Sequence, residues 1–160
     1  MPVRMVKDDQ EDENQDFNFN DFKAEFEQDW EEEYTTSEFE MMLASVPAIY
    51  YAYNDEEADD EKYEEVLTLL SEEALKLDDQ IEDGLERTRY LLEEVLYEAF
   101  EDDWEEDFME VAAAFFAKKS KYTSYVKKTV EISAKANKKR KLSDEEQELF
   151  DDALDQVGLL

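Results

Sequence analysis

Apolar residues recur at helical spacing along nearly the whole chain. Phe19, Phe22, Phe26 and Trp30 are separated by 3, 4 and 4 positions, which puts them on one face of an α-helix. Asn18 or Asn20 is placed to cap it, and the pattern ends near Tyr34. Thr35-Thr36-Ser37 then opens a second element. Thr35 with Glu38, or Ser37 with Glu40, has the spacing of a capping box. Phe39, Met42, Leu43 and Val46 form the apolar face of this element. Pro47 is predicted to kink or end it, because proline lacks an N–H and crowds the preceding turn. Residues 48–53 then form a short helix starting at Pro47.

The region Asn54 to Asp60 is a charged connection. Tyr63, Val66, Leu67, Leu70, Ala74 and Leu77 predict a long amphipathic helix. Asp78-Asp79 can cap the next, which carries Ile81, Leu85, Thr88, Leu92, Val95, Leu96 and Ala99. Gly84 is a candidate break within it, costing up to ~1 kcal/mol relative to alanine. From Glu93 to Ala117, Phe100, Trp104, Phe108, Val111 and Phe115 make an aromatic stripe, read as one helix running past Lys121. Tyr122, Val126, Val130 and Ser133 extend the stripe, with a bend allowed at Ser120, Thr123 and Ser124. Asn137 to Lys141 reads as a basic loop. Ser143 and Glu146 suit a capping box for a last helix with Leu149, Phe150, Ala153, Leu154 and Val157, and Gly158 suits its C′ position.

Only two glycines and two prolines occur in 160 residues, too few for a chain of hairpins. The expected fold is all-α, a compact bundle of about five to seven amphipathic helices. Residues 1–16 are acidic and aperiodic and are expected to form a disordered tail. Residues 17–160 form a single helical domain, with an acidic part 17–110, a basic helix and loop segment 111–142, and an acidic C-terminal helix 143–158.

The chain lacks cysteine and histidine. That excludes disulfides, thiolate chemistry, the commonest general base and the commonest transition-metal ligand. No apolar run approaches the ~18 residues of a membrane span, and the N-terminus lacks the apolar centre of a signal peptide. A cytoplasmic location follows as the expectation, in the host cell if the chain is phage-encoded.

Forty-eight acids against 17 bases give a net charge of −31. Such self-repulsion opposes compaction, so a use for the charge is implied. The charge is uneven: residues 1–110 carry a net −33, residues 111–142 a net +9, and residues 143–160 a net −7. Direct nucleic-acid binding is disfavoured by the long-range field, and a basic partner is favoured. Lys138-Lys139-Arg140-Lys141 has the composition of a nuclear localisation cluster. A solvated loop, or an intramolecular counter-charge for the acidic helices, is the favoured reading of it; a third use is self-association, the +9 segment of one subunit meeting the acidic face of another.

Carboxylate-rich helices raise the question of metals. Di-iron bundles use Glu-x-x-His pairs, and no histidine is present. The segment Asp78 to Gly84 fails as an EF-hand loop because Ile81 falls among the ligand positions. An all-α, Mg²⁺-dependent nucleotide pyrophosphohydrolase would need E-x-x-E followed about a helix later by E-x-x-D. Glu61-x-x-Glu64 and Glu98-x-x-Glu101 occur without the second half at a suitable distance. No phosphate loop or activated nucleophile appears. No cofactor, metal or catalytic residue is expected, and the chain reads as non-enzymatic.

Helix geometry offers a different use for the charge. Acids at i and i+4 lie ~6 Å apart along a helix, close to the spacing of phosphates along one strand, and two such helices side by side approach the width of a duplex. Rows of carboxylates on a rigid bundle could therefore fill the basic groove of a DNA-binding enzyme. The expected partner-binding surface comprises Glu31, Glu32, Glu33, Asp55, Glu56, Glu57, Asp59, Asp60, Glu98, Glu101, Asp102, Asp103, Glu105, Glu106 and Asp107.

The phrase Val46-Pro47-Ala48-Ile49-Tyr50-Tyr51-Ala52 resembles the Val-Pro…Tyr-Tyr-Ala segment of the phage overcome-classical-restriction (Ocr) DNA mimics. An acidic, capped helix precedes it in both. A helix mixing Leu, Tyr, Trp and acids follows, here from Arg89-Tyr90-Leu91-Leu92 to Asp103-Trp104-Glu105. The resemblance spans roughly residues 35–110. This chain has one more residue between Pro47 and Tyr50-Tyr51, and it carries the basic segment 118–141. The resemblance implies a homodimeric mimic of B-form DNA that blocks restriction–modification enzymes, and a CRISPR-type nuclease is a related target. The alternative is an immunity protein or chaperone that neutralises one basic protein, followed by the Mg²⁺-dependent hydrolase.

Overall fold

The computed structural model describes residues 19–56, 58–77, 84–118, 122–136 and 141–159. Among these residues there are seven α-helices, two π-helical stretches and no strand, which bears out the all-α expectation. The acidic tail 1–16, the Asp78-Asp79 cap and the loop core 137–140 lie outside the described residues.

Two compact units are present, residues 1–34 and 35–160. In the first, α1 (Phe19–Trp30) stacks Phe26 on Trp30, with ring centroids 5.0 Å apart, and on Tyr34 at 6.1 Å. The helix stops earlier than its apolar spacing suggests. Glu31 adopts φ 57°, and the Glu32 N–H reaches back to the Glu27 carbonyl at 3.2 Å, the long-range closure typical of a left-handed helix end. The Glu27 carboxylate holds the turn by accepting from the Tyr34 N–H at 2.7 Å and from Lys23 at 2.9 Å.

The second unit is built around α2 (Thr36–Asn54), which packs on α3, α5, α6, α7 and the first π-helical stretch. Thr35 and Glu38 form the capping box; Ser37 with Glu40 does not. Every residue from Glu38 to Ile49 except Glu40 is buried, so α2 is enclosed on all sides rather than along one stripe. This corrects one of the two expectations at Pro47, that it ends the helix. The helix continues through it to Asn54, because packing around the whole circumference outweighs one missing backbone hydrogen bond. Polar side chains inside are matched: Ser133 Oγ donates to the Ala48 carbonyl at 2.8 Å, and Ser45 Oγ lies 2.8 Å from the Tyr125 hydroxyl.

Around α2 stand α3 (Asp60–Leu77), α4 (Gly84–Tyr90), α5 (Glu105–Lys118), α6 (Thr123–Lys135) and α7 (Asp144–Asp155). Gly84 opens α4 with φ 50°. The Ser143–Glu146 capping box forms as expected. At the far end of α7, Gly158 takes φ 74°, with Gly158 N–H bonded to Asp155 and Leu159 N–H to Leu154. That is a Schellman closure with Gly158 at C′.

The stretch from Glu93 onward is not one helix. Two π-helical stretches, Leu91–Tyr97 and Phe100–Trp104, follow α4. Asp102 (φ −102°, ψ 31°) and Asp103 (φ 71°, ψ 17°) leave helical geometry and kink the chain before α5. The apolar stripe survives the kink. Phe100, Phe108 and Phe115 are buried, and the Phe108 ring lies within 6.5 Å of the Phe39, Phe100 and Trp104 rings, centroid to centroid. Trp104 and Val111 are half-buried.

Candidate partner-binding acidic surface

The kink decides how the densest acids are displayed. Glu98 and Glu101 precede it, Asp102 and Asp103 form it, and Glu106 and Asp107 follow in the first turn of α5. All six are exposed. None takes part in an ion pair or a side-chain hydrogen bond among the described residues. Asp103 tolerates its left-handed backbone because a short polar side chain pays less for it than a branched one.

Other expected members are engaged inside the chain. Asp55 pairs with Lys62 at 2.7 Å, and its side chain is 4% exposed. Glu105 is half-buried and accepts from Asn54 Nδ2 at 3.0 Å. Asp59 accepts from the Lys62 N–H at 2.8 Å and so starts α3. Glu32 accepts from the Tyr34 hydroxyl at 2.9 Å. Asp55, Glu105 and Glu32 of the expected surface are therefore also engaged within the chain. Glu56, Asp59 and Asp60 are exposed near the α2–α3 junction, and Glu31 and Glu33 are exposed in the first unit. Glu57 lies outside the described residues.

Two open clefts flank Asn54. One, of about 470 Å³, is lined by Asp55, Glu56, Glu145, Glu148 and Asp152 among others. The other, of about 400 Å³, is lined by Glu105, Glu106 and Glu110 with Tyr50 and Gln156. No basic side chain is among the described residues lining either. Tyr50 joins the two by donating to Asp152 and accepting from Gln156 at 2.9 Å. Burial and then the Asp152 bond push the Tyr50 phenol up to about 12, so it stays a neutral donor. Sequence reasoning left Glu145, Glu148 and Asp152 out of the surface. Their i, i+3, i+7 spacing already put them on one face of α7.

The cations of the acidic half show where its charge goes. Lys23, Lys62, Lys76, Arg87 and Arg89 are the basic residues described between 19 and 110, and each is ion-paired: with Glu27, Asp55, Glu73, Glu38 and Glu64 respectively. In the basic segment, Lys128 pairs with Glu73 at 3.1 Å and Lys135 with Glu131 at 3.8 Å. Lys128 thus reaches a carboxylate of the acidic part, while Lys135 pairs within its own helix; Lys138, Lys139 and Arg140 lie outside the described residues.

Among the described residues, no group of three acidic side chains is arranged to hold a metal ion, and no helix is long and apolar enough to cross a membrane. No protein-family model matches the chain, and no curated protein or solved structure matches it at a significant level.

Proposed function

We propose that this protein is a non-enzymatic inhibitor that occupies the DNA-binding groove of a host defence enzyme of the restriction–modification or CRISPR type. One observation carries the reading: every described cation of the acidic half is tied to a carboxylate elsewhere, while Glu98, Glu101, Asp102, Asp103, Glu106 and Asp107 stand exposed and, among the described residues, unpaired. A field of this kind, held on a packed helical frame, presents negative charge without the mobility of a tail. Binding would release counterions from the basic groove, as DNA does. The resemblance around Val46–Ala52 supports the same reading; the segment lies in the C-terminal half of α2, buried except for half-buried Tyr50 and Ala52.

The test is competition. Purified protein is added to duplex DNA bound by each of a panel of restriction–modification and CRISPR effectors, and DNA release is followed across a salt series. Displacement that weakens with salt is the expected result. Reversing the charge of the block Glu101–Asp107 should abolish it, whereas a block variant that inhibits like wild type sinks the proposal.

The two shaped clefts beside Asn54 favour a second reading, neutralisation of one specific basic protein. Single-residue scanning separates the two. Losses concentrated at one or two positions support a specific neutraliser, and small losses spread over many support mimicry.

A further inference from the structure

Three tyrosines from three separate elements meet at the surface of the second unit. Tyr53 of α2, Tyr63 of α3 and Tyr97 of the first π-helical stretch form a chain of edge-on contacts. The ring centroids of Tyr53 and Tyr97 are 5.4 Å apart and those of Tyr63 and Tyr97 are 5.1 Å apart. Buried Phe100 backs the group, its ring 5.8 Å from that of Tyr53 and at 83° to it. The tyrosines themselves are half-buried.

Their hydroxyls are available. Among the described residues none of the three is hydrogen-bonded within the chain, and the one buried side-chain polar atom without a partner is Thr88 Oγ1. The three phenol oxygens therefore reach water. Burial, followed by the charges of Glu93 and Glu64, pushes the Tyr63 phenol up, and burial with Glu101 does the same for Tyr97. They remain protonated near neutrality, able to donate and accept. Arg89 already answers Glu64 at 2.6 Å and Glu93 at 3.3 Å, which leaves exposed Glu101 as the acid beside the rings.

Edge-on packing leaves ring faces uncovered that parallel stacking would hide, and those faces carry negative potential. A planar cation suits such a place better than a compact one. Guanidinium stacks on rings, and its five N–H donors can reach phenol oxygens and a carboxylate together, whereas ammonium is more strongly hydrated.

We propose that the Tyr53–Tyr63–Tyr97 platform seats an arginine side chain of the basic protein partner. It rests on the reading that the acidic surface binds such a protein, and it adds an anchoring point to an attraction that is otherwise diffuse. Rigid tyrosines at low entropic cost are the usual material of interface anchors.

The experiment uses two probes of equal charge, a deca-arginine and a deca-lysine peptide, titrated into the full chain at about 0.15 M salt, where long-range attraction is screened. Affinities are read by calorimetry, and the tyrosine ring signals by NMR. Deca-arginine should bind about fivefold more tightly and should shift the Tyr53, Tyr63 and Tyr97 rings more than the other six. Tyr97→Leu should remove that preference while leaving deca-lysine affinity within about twofold, and Tyr97→Phe should keep most of it. An arginine preference that survives Tyr97→Leu comes from carboxylate pairing and overturns the platform. So do equal affinities with unmoved rings in the wild-type protein, an outcome that needs no variant to fold. If neither peptide binds, the acidic-surface reading falls, and the platform falls with it.

Discussion

The Arg87 guanidinium donates to Glu38 Oε2 at 2.9 Å, and the same carboxylate accepts from the Thr35 N–H at 3.0 Å. One acid thus closes the N-terminal cap of the central helix and ties α4 to it. Arg87 also lies 5.3 Å from the Tyr90 ring centroid, so its charge is held on two sides. Burial alone would raise the Glu38 pKa, but the Arg87 bond and the Thr35 N–H outweigh it and hold the group below its ordinary value. The stabilisation is therefore present above the unfolded value near 4.5 and is lost as pH falls through the lower folded value.

Removing either partner should cost about 2 kcal/mol, since the other is left poorly solvated. Urea denaturation of Arg87→Leu and Glu38→Gln at pH 7 should show lowered midpoints. The double variant should lose less than the sum. Near pH 3 the wild type should fall toward Arg87→Leu. Equal deficits at both pH values would show that the pair contributes nothing through charge.

Alkaline titration gives a second expectation. Tyr125 is buried, with its hydroxyl against Ser45 Oγ, and burial pushes its phenol well up, as burial and Asp152 do for Tyr50. A raised folded pKa supplies stability below the unfolded value near 10, lost as pH rises through the folded one. Phenolate absorbance should therefore appear in two waves, with the buried tyrosines ionising late and together with unfolding. Asp152→Asn should move Tyr50 down toward 10. Tyr125→Phe should cost about 1 kcal/mol at neutral pH, because Ser45 Oγ keeps its bond to the Met41 carbonyl.

The kink offers a third. Asp103 sits at φ 71°, a region open to glycine and strained for branched residues. Asp103→Gly should be neutral or stabilise by up to about 1 kcal/mol, and Asp103→Val should destabilise by about 2 kcal/mol. A Val variant as stable as wild type would show that the kink relaxes freely in solution.

Salt should act in opposite directions on folding and on binding. Raising ionic strength from about 0.05 to 0.5 M shortens the Debye length severalfold. The melting temperature should rise as self-repulsion is screened, while displacement of DNA from a target enzyme should weaken. Single neutralisations such as Glu106→Gln should change inhibition by less than about threefold, because one charge in a broad field is a small part of it.

Much of the helical order was legible in the apolar spacing. Phe39, Val66, Leu70, Phe108, Val126 and Leu154 all lie inside, as their registers required. Of the three candidate capping boxes, Thr35–Glu38 and Ser143–Glu146 formed and Ser37–Glu40 did not, and Gly158 closed the last helix. What local spacing could not show was the environment of each element. Pro47 reads as a break until α2 is known to be enclosed by its neighbours. The Asp102–Asp103 kink has no glycine or proline to announce it. In the acidic surface, Asp55 and Glu105 looked like their neighbours, and only the folded positions of Lys62 and Asn54 distinguish them. The tyrosine platform joins residues 53, 63 and 97, a juxtaposition no one-dimensional period encodes.

The kink at Asp102–Asp103 also makes a helix beginning where the acid density is greatest. A straight helix through this region would hold Glu101, Glu105 and their neighbours as like charges one turn apart, each pair costing a few tenths of a kcal/mol. Instead Glu105, Glu106 and Asp107 occupy the first turn of α5, where the partial positive charge of the exposed backbone N–H groups favours anions. The same placement recurs with Asp60 and Glu61 in α3 and with Asp144, Glu145 and Glu146 in α7. Backbone dipoles thus stand in for the lysines this part of the chain lacks, and they do so without neutralising the field seen from outside.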